Sequence, residues 1–259
     1  MTQIVFIHGM FQNPKSWSPW QRYFRGLGFE TSAPAWPYHD GEPAELRANI
    51  PPGLGELHLR TVISEFADML GGLREKPVVI GHSVGGLIVQ ELAALQLIRA
   101  GVCISSVAPN RMLAFDWGFF KNSLSIANPV AGNEPYRMTP EGFHASFANT
   151  LPVEASNAAY ERTATHDSRN MLRDCMMEDG KVDLQLPHPP LLFIAGEKDQ
   201  IIPPELNEKN AKGYTDQNSL VTFKEFLNRG HFICGEPGWE EVAAFASQWI
   251  AALGDRQVG

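Results

Sequence analysis

The sequence predicts an α/β fold, a mostly parallel open sheet flanked by helices. Three observations carry that reading. Short apolar runs alternate with helical patterns along most of the chain. One of those runs, Pro77-Val78-Val79-Ile80, passes directly into the tight turn Gly81-His82-Ser83-Val84-Gly85 and then into a helical pattern. The alternation stops over residues 110–187 and resumes afterwards, which marks an insertion into one domain.

Taken in order, residues 3–7 form the first strand, ending at His8-Gly9-Met10-Phe11. A helix over residues 15–27 is stopped by Gly28, and residues 29–34 form the second strand. A polar, Pro- and Gly-rich loop over residues 36–55 precedes a helix over 56–70, where Val62, Phe66 and Met69 recur at helical spacing. Residues 77–80 are the third strand, 87–99 its helix, and 101–107 the fourth strand, closed by Pro109. No convincing strand appears in residues 110–187. Helix starts do appear there, as at Thr139-Pro140-Glu141, a capping residue before a proline at the first helical position. Strands over 191–195 and 219–227 then frame a helix over 205–212, and a helix over 239–253 ends the pattern. The expected division is a core of residues 1–109 and 188–259 with a helical cap over 110–187.

Composition narrows the function classes. The chain has 259 residues, 44% of them hydrophobic and 19% charged, as in globular domains. A formal net charge of −8, with no long Lys/Arg run, argues against nucleic acid as a partner. Cys103, Cys175 and Cys234 lie far apart in no metal-like spacing and read as buried thiols of a reducing compartment. The first residues enter a strand directly, and no apolar run is long enough to span a bilayer. The expectation is therefore a cytoplasmic protein without a membrane partner.

The turn around Ser83 carries the chemistry. A sharp strand-to-helix turn lifts a serine oxygen out of the sheet edge, provided the residues two before and two after carry no side chain, as Gly81 and Gly85 do. The N–H of Val84 then points where an oxyanion would develop. Asp199 follows the strand over 191–195, and His231 follows the strand over 219–227. Each alone reads as a turn or structural residue. Together with Ser83 they place three reactive side chains just past three strand ends, the edge where open α/β sheets build their sites.

These stretches resemble the α/β-hydrolase superfamily over nearly the whole chain: Phe6-Ile7-His8-Gly9-Met10, Gly81-His82-Ser83-Val84-Gly85-Gly86, Gly196-Glu197-Lys198-Asp199 with Pro203, and Gly230-His231-Phe232. The resemblance implies Ser83 as nucleophile, His231 as general base, Asp199 as its orienting acid, and Met10 N–H as the second oxyanion donor beside Val84. It implies no cofactor and no metal, a small-molecule substrate, and a cap between the strands that flank residues 110–187. Asp116 is the alternative acid, because some members place it there. His8 and His82 are expected to brace the two turns. One departure is that the chain opens at the strand equivalent to the family's third. Phe11 and Trp36, with Phe115 and Phe119 of the insertion, are expected to line an apolar pocket. The implied activity is a serine hydrolase acting on a carboxylic ester, lactone or thioester. A triad used for hydroxynitrile lysis, carbon–carbon bond hydrolysis or cofactor-free oxygenation is the alternative, and a non-catalytic receptor the third reading.

Overall fold

Six strands form one sheet in the computed structural model, which describes residues 2–113 and 126–255. They are β1 (Gln3–Ile7), β2 (Glu30–Ser32), β3 (Val78–His82), β4 (Ala100–Ile104), β5 (Leu191–Gly196) and β6 (Val221–Phe226). The order across the sheet is β2-β1-β3-β4-β5-β6, and every neighbouring pair is parallel. This is the expected fold class. The chain moves outward from β1 to β2 and then returns to lay β3 on the other side of β1. That reversal creates a crevice beyond the carboxyl ends of β1 and β3, where such sheets take their ligands.

Strand periodicity divides the core into two layers. Ile4 and Phe6 of β1 pack with α1 (Ser18–Gly26) and α9 (Trp239–Asp255), whereas Val5 and Ile7 pack on the opposite face. Trp17, Trp20 and Phe24 surround Phe6 at ring-centroid distances of 5.0, 6.4 and 5.8 Å. The opposite face holds α3 (Leu59–Gly71), α4 (Val84–Ala94) and α8 (Pro204–Gly213). Val62, Ile63, Phe66 and Leu70 form the buried stripe of α3. By contrast, α4 is buried nearly all round, packed on β3, β4 and α3.

The expected boundaries shift where backbone chemistry intervenes. The helix expected over residues 15–27 divides into a 3₁₀ turn, Pro14–Trp17, and α1. Pro19 has no N–H, so an α ladder cannot run through it. Asn13 starts the turn by accepting the Lys15 N–H at 3.1 Å. The expected loop over residues 36–55 contains α2 (Pro43–Ala48), whose proline stands in the first helical turn. Helix α4 begins at Val84 rather than at residue 87, despite two glycines in its first turn. Cys103 and Cys175 are buried as expected, but Cys234 is only half-buried; all three are free thiols.

Between β4 and β5 the regular structure among the described residues is mostly helical. They include α5 (Asn110–Leu113), α6 (Val153–Thr163) and α7 (Arg169–Cys175), with a turn at Pro140–Gly142 that continues as a π-helical turn, Phe143–Phe147. Thr139 caps that turn through the Gly142 N–H at 3.1 Å. One isolated antiparallel bridge, Tyr136 with Asp167, is the extended pairing described there. Phe143, Phe147, Tyr160, Met171 and Leu172 join the same core layer as Phe11, Val84 and Val107, so this segment packs over the strand ends.

Candidate active site

Ser83 sits between β3 and α4 with φ 57° and ψ −121°, a conformation that costs a non-glycine residue about 1–3 kcal/mol. Close packing holds it there. A Cβ on Gly81 would stand 2.2 Å from the Gly85 carbonyl oxygen, and one on Gly85 would stand 2.4 Å from the Ile7 carbonyl oxygen. The elbow therefore lies directly against β1, and only glycine permits that approach. The Ser83 N–H donates to Ile104 O at 3.0 Å, and Ser83 O accepts from Gly86 and Val107, so the peptide groups on both sides are fixed.

His231 and Asp199 meet at the neighbouring strand ends. The His231 Nδ1–H donates to Asp199 Oδ2 at 2.8 Å, and both side chains are buried. Asp199 Oδ1 also accepts the N–H groups of Ile201 and Ile202, each at 2.9 Å. With Nδ1 committed as donor to a carboxylate, Nε2 of a neutral ring is the basic nitrogen. That Nε2 is buried with no partner among the described residues. His231 and Ser83 both line one cavity of about 140 Å³, whose other walls include Met10, Phe11, Met138, Phe147, Leu172 and Ile202. Neither the Met10 nor the Val84 N–H has an acceptor among the described residues.

The two other histidines brace the turns, as their positions suggested. His8 Nδ1–H donates to Gly9 O at 3.0 Å, and its Nε2 accepts the Trp36 N–H at 3.4 Å. His82 Nε2–H donates to His231 O at 2.8 Å, which ties the elbow to the loop carrying His231. Burial holds both well below the ordinary histidine value, and the neighbouring rings, His39 beside His8 and His231 beside His82, lower them further. Both stay neutral.

Four residues were expected to line a pocket: Phe11, Trp36, Phe115 and Phe119. Phe11 lines the cavity. Trp36 does not, which corrects the expectation: it is buried in the core, stacked on His8 at 4.3 Å, and faces His8 rather than Ser83. Phe115 and Phe119, and the alternative acid Asp116, lie outside the described residues. A larger cavity of about 270 Å³ opens behind Gly9 and His82, but Ser83 is not in its wall.

A second buried acid–histidine pair had no signal in the sequence. Asp167, between α6 and α7, is fully buried; its Oδ2 accepts the Phe11 N–H at 3.0 Å and lies 3.5 Å from His39 Nε2. His39 Nδ1–H donates to Pro37 O at 2.9 Å. One ring nitrogen thus donates to a carbonyl while the other faces a carboxylate, an arrangement that favours the charged ring. Burial opposes that charge, yet the Asp167 carboxylate beside the ring raises His39 above its ordinary value. Asp167 lies 128 positions from His39 in a segment with no strand period, so only the fold brings them together.

A search of curated protein sequences finds no match. Solved structures do match. A monoacylglycerol lipase from Paleococcus ferrophilus superposes with a TM-score of 0.69 at 20% identity, covering 96% of this chain and 94% of that one. An extracellular alpha/beta-hydrolase from a Paenibacillus species gives 0.72 at 17% identity, over 96% and 98% of the two chains. A pyrethroid hydrolase from Sphingobium faniae gives 0.71 at 17% identity, over 98% and 99%. The sequence profile of the Alpha/beta hydrolase family matches residues 4–245. With its parallel sheet, its elbow at the β1–β3 crevice and that match over most of its length, the chain belongs to the alpha/beta hydrolase family.

Proposed function

We propose that the protein is a serine hydrolase that cleaves a carboxylic ester of a small to medium hydrophobic substrate through an acyl-enzyme. One observation carries this reading: Ser83 shares an apolar cavity with the unpartnered His231 Nε2, whose ring is held by Asp199 at 2.8 Å. Ser83 Oγ attacks the acyl carbon while His231 Nε2 takes its proton, and Asp199 stabilises the imidazolium that forms. The Met10 and Val84 N–H groups stabilise the tetrahedral oxyanion; loss of one such donor typically costs about 3 kcal/mol of barrier. His231 then returns the proton to the leaving alcohol. Water, deprotonated by the same nitrogen, releases the acid. Neither step calls on a metal or a redox group.

The described cavity wall is largely Met, Phe, Leu and Ile, which suits an uncharged acyl or alcohol group. On this reading residues 110–187 are a cap over a core formed by residues 1–109 and 188–259. Similarity to a monoacylglycerol lipase and a pyrethroid hydrolase, both named for ester substrates, is in keeping with it. The test is kcat/KM on p-nitrophenyl and lactone substrates of graded chain length. Medium hydrophobic acyl esters are expected to be best, by about 1–3 kcal/mol over acetate and over charged esters. Absence of hydrolysis across the panel would point instead to lyase or oxygenase chemistry on the same triad. Fastest turnover of charged esters would refute the apolar-pocket assignment.

A further inference from the structure

The turn that follows β1 is gripped from outside the core. Phe11 has φ 64°, a left-handed conformation without the glycine or asparagine that usually takes it. Both of its peptide groups are bound by one stretch of the segment between β4 and β5. Its N–H donates to Asp167 Oδ2 at 3.0 Å, and its carbonyl accepts the Thr165 N–H at 3.0 Å. The next residue is held by the same stretch, since Gln12 O accepts from Thr165 Oγ1 and Gln12 Nε2 donates to Thr163 Oγ1, both at 3.3 Å. On the other side of Met10, Gly9 is pressed onto the elbow: a Cβ there would lie 2.8 Å from Ser83 Cβ. Met10 is thus pinned at both flanking peptides, and its own N–H is left without an acceptor.

We propose that Asp167 is a positioning residue for the reaction: from the segment between β4 and β5 its carboxylate holds the Met10–Phe11 peptide, and so aims the Met10 N–H at the oxyanion formed on Ser83. This rests on the serine-hydrolase reading above. The carboxylate is itself oriented by the Ser168 N–H on Oδ1 at 2.8 Å and by His39 beside Oδ2. It also takes the Phe11 N–H out of contention as an oxyanion donor and leaves that of Met10. Packing of residues 163–167 against the turn then completes the oxyanion site, so the loss of Asp167 acts on the transition state and not on ground-state binding.

The experiment compares Asp167→Ala and Asp167→Asn with the wild-type enzyme on its best ester. It also measures the affinity of a trifluoromethyl ketone, which forms an oxyanion on the serine, against that of the corresponding ether, which does not. Single truncation leaves the buried His39 ring without its acidic partner, so the double variant His39→Leu/Asp167→Val is made alongside; removing both partners is far milder on folding. Whichever of the two truncated proteins folds is expected to lose about 10²-fold in kcat and in ketone affinity. Its KM and ether affinity are expected to stay within about threefold of wild type, since that donor acts only on the oxyanion. Asp167→Asn, which keeps an acceptor for the Phe11 N–H, is expected to recover most of both losses. Unchanged kcat and ketone affinity in the truncated protein overturn the proposal. So does an equal loss of ketone and ether affinity, and so does a failure of the asparagine to rescue. Failure of the serine-hydrolase reading shows up separately, in the wild-type enzyme, as a fluorophosphonate that does not label Ser83.

Discussion

Ser83, Asp199 and His231 can be singled out in the sequence because each sits beside a local marker: a glycine pair, a strand end at Gly196, and Gly230 before the histidine. Their partnership needed the fold, since Asp199 and His231 come from turns after β5 and β6. Asp199→Asn is expected to lower kcat/KM about 10³–10⁴-fold at unchanged thermal stability, because an amide can neither stabilise an imidazolium nor fix the ring tautomer. A loss below about tenfold would move the acid role to another residue, Asp116 first. The elbow glycines make an independent point. Gly85→Ala would drive its Cβ to 2.4 Å from Ile7 O, so it is expected to destabilise the fold by about 1–3 kcal/mol and to lower turnover. Urea unfolding and kcat together check it. What could not be read was Asp167 with His39, and Trp36 was assigned to the wrong surface. In each case the decisive neighbour comes from another loop: His39 for Asp167, and His8 for Trp36. Sequence spacing holds no record of such contacts.

At the scale of elements, the strands and major helices followed from period and punctuation, whereas their ends followed backbone rules that short windows conceal. Pro19 breaks one helix into two pieces, and Pro43 starts a helix inside a stretch that reads as loop. Helix α4 shows what a central helix carries besides apolar contacts. Glu91 on it is buried, and burial raises its carboxyl to about 7 from an ordinary 4.5; Arg60 opposes the shift and Asp179 adds to it. The folded protein therefore holds this proton where the unfolded chain releases it. The neutral carboxyl's contribution is complete below about pH 4.5, declines as pH rises, and is lost above about pH 7. Glu91→Gln is accordingly expected to match the wild-type stability near pH 4.5 and to exceed it by up to about 3 kcal/mol above pH 7. Chemical denaturation at several pH values measures this, and a difference independent of pH would contradict it.

For the whole molecule, the alternation of strands and helices was enough to give one parallel sheet and to place the break after β4. The packing of the intervening segment was not legible, because its helices are short, begin at prolines or polar caps, and bury aromatic residues against partners far away in sequence. Phe147 illustrates this: it lines the Ser83 cavity and stands 5.0 Å from the His231 ring, yet it lies in a π-helical turn of only five residues. The sheet thus supplies Ser83, Asp199 and His231, while residues 110–187 supply much of the cavity's apolar wall and the carboxylate on the turn after β1. The proposed function stands or falls with Ser83 as the nucleophile. The direct measurement is fluorophosphonate labelling with mass mapping of the modified peptide, coupled to ester turnover by wild type and Ser83→Ala. One label per chain is expected, on Ser83, with a loss of at least about 10³-fold in turnover for a variant that remains folded. A label recovered on another serine, or a Ser83→Ala protein that keeps most of its activity, would contradict it.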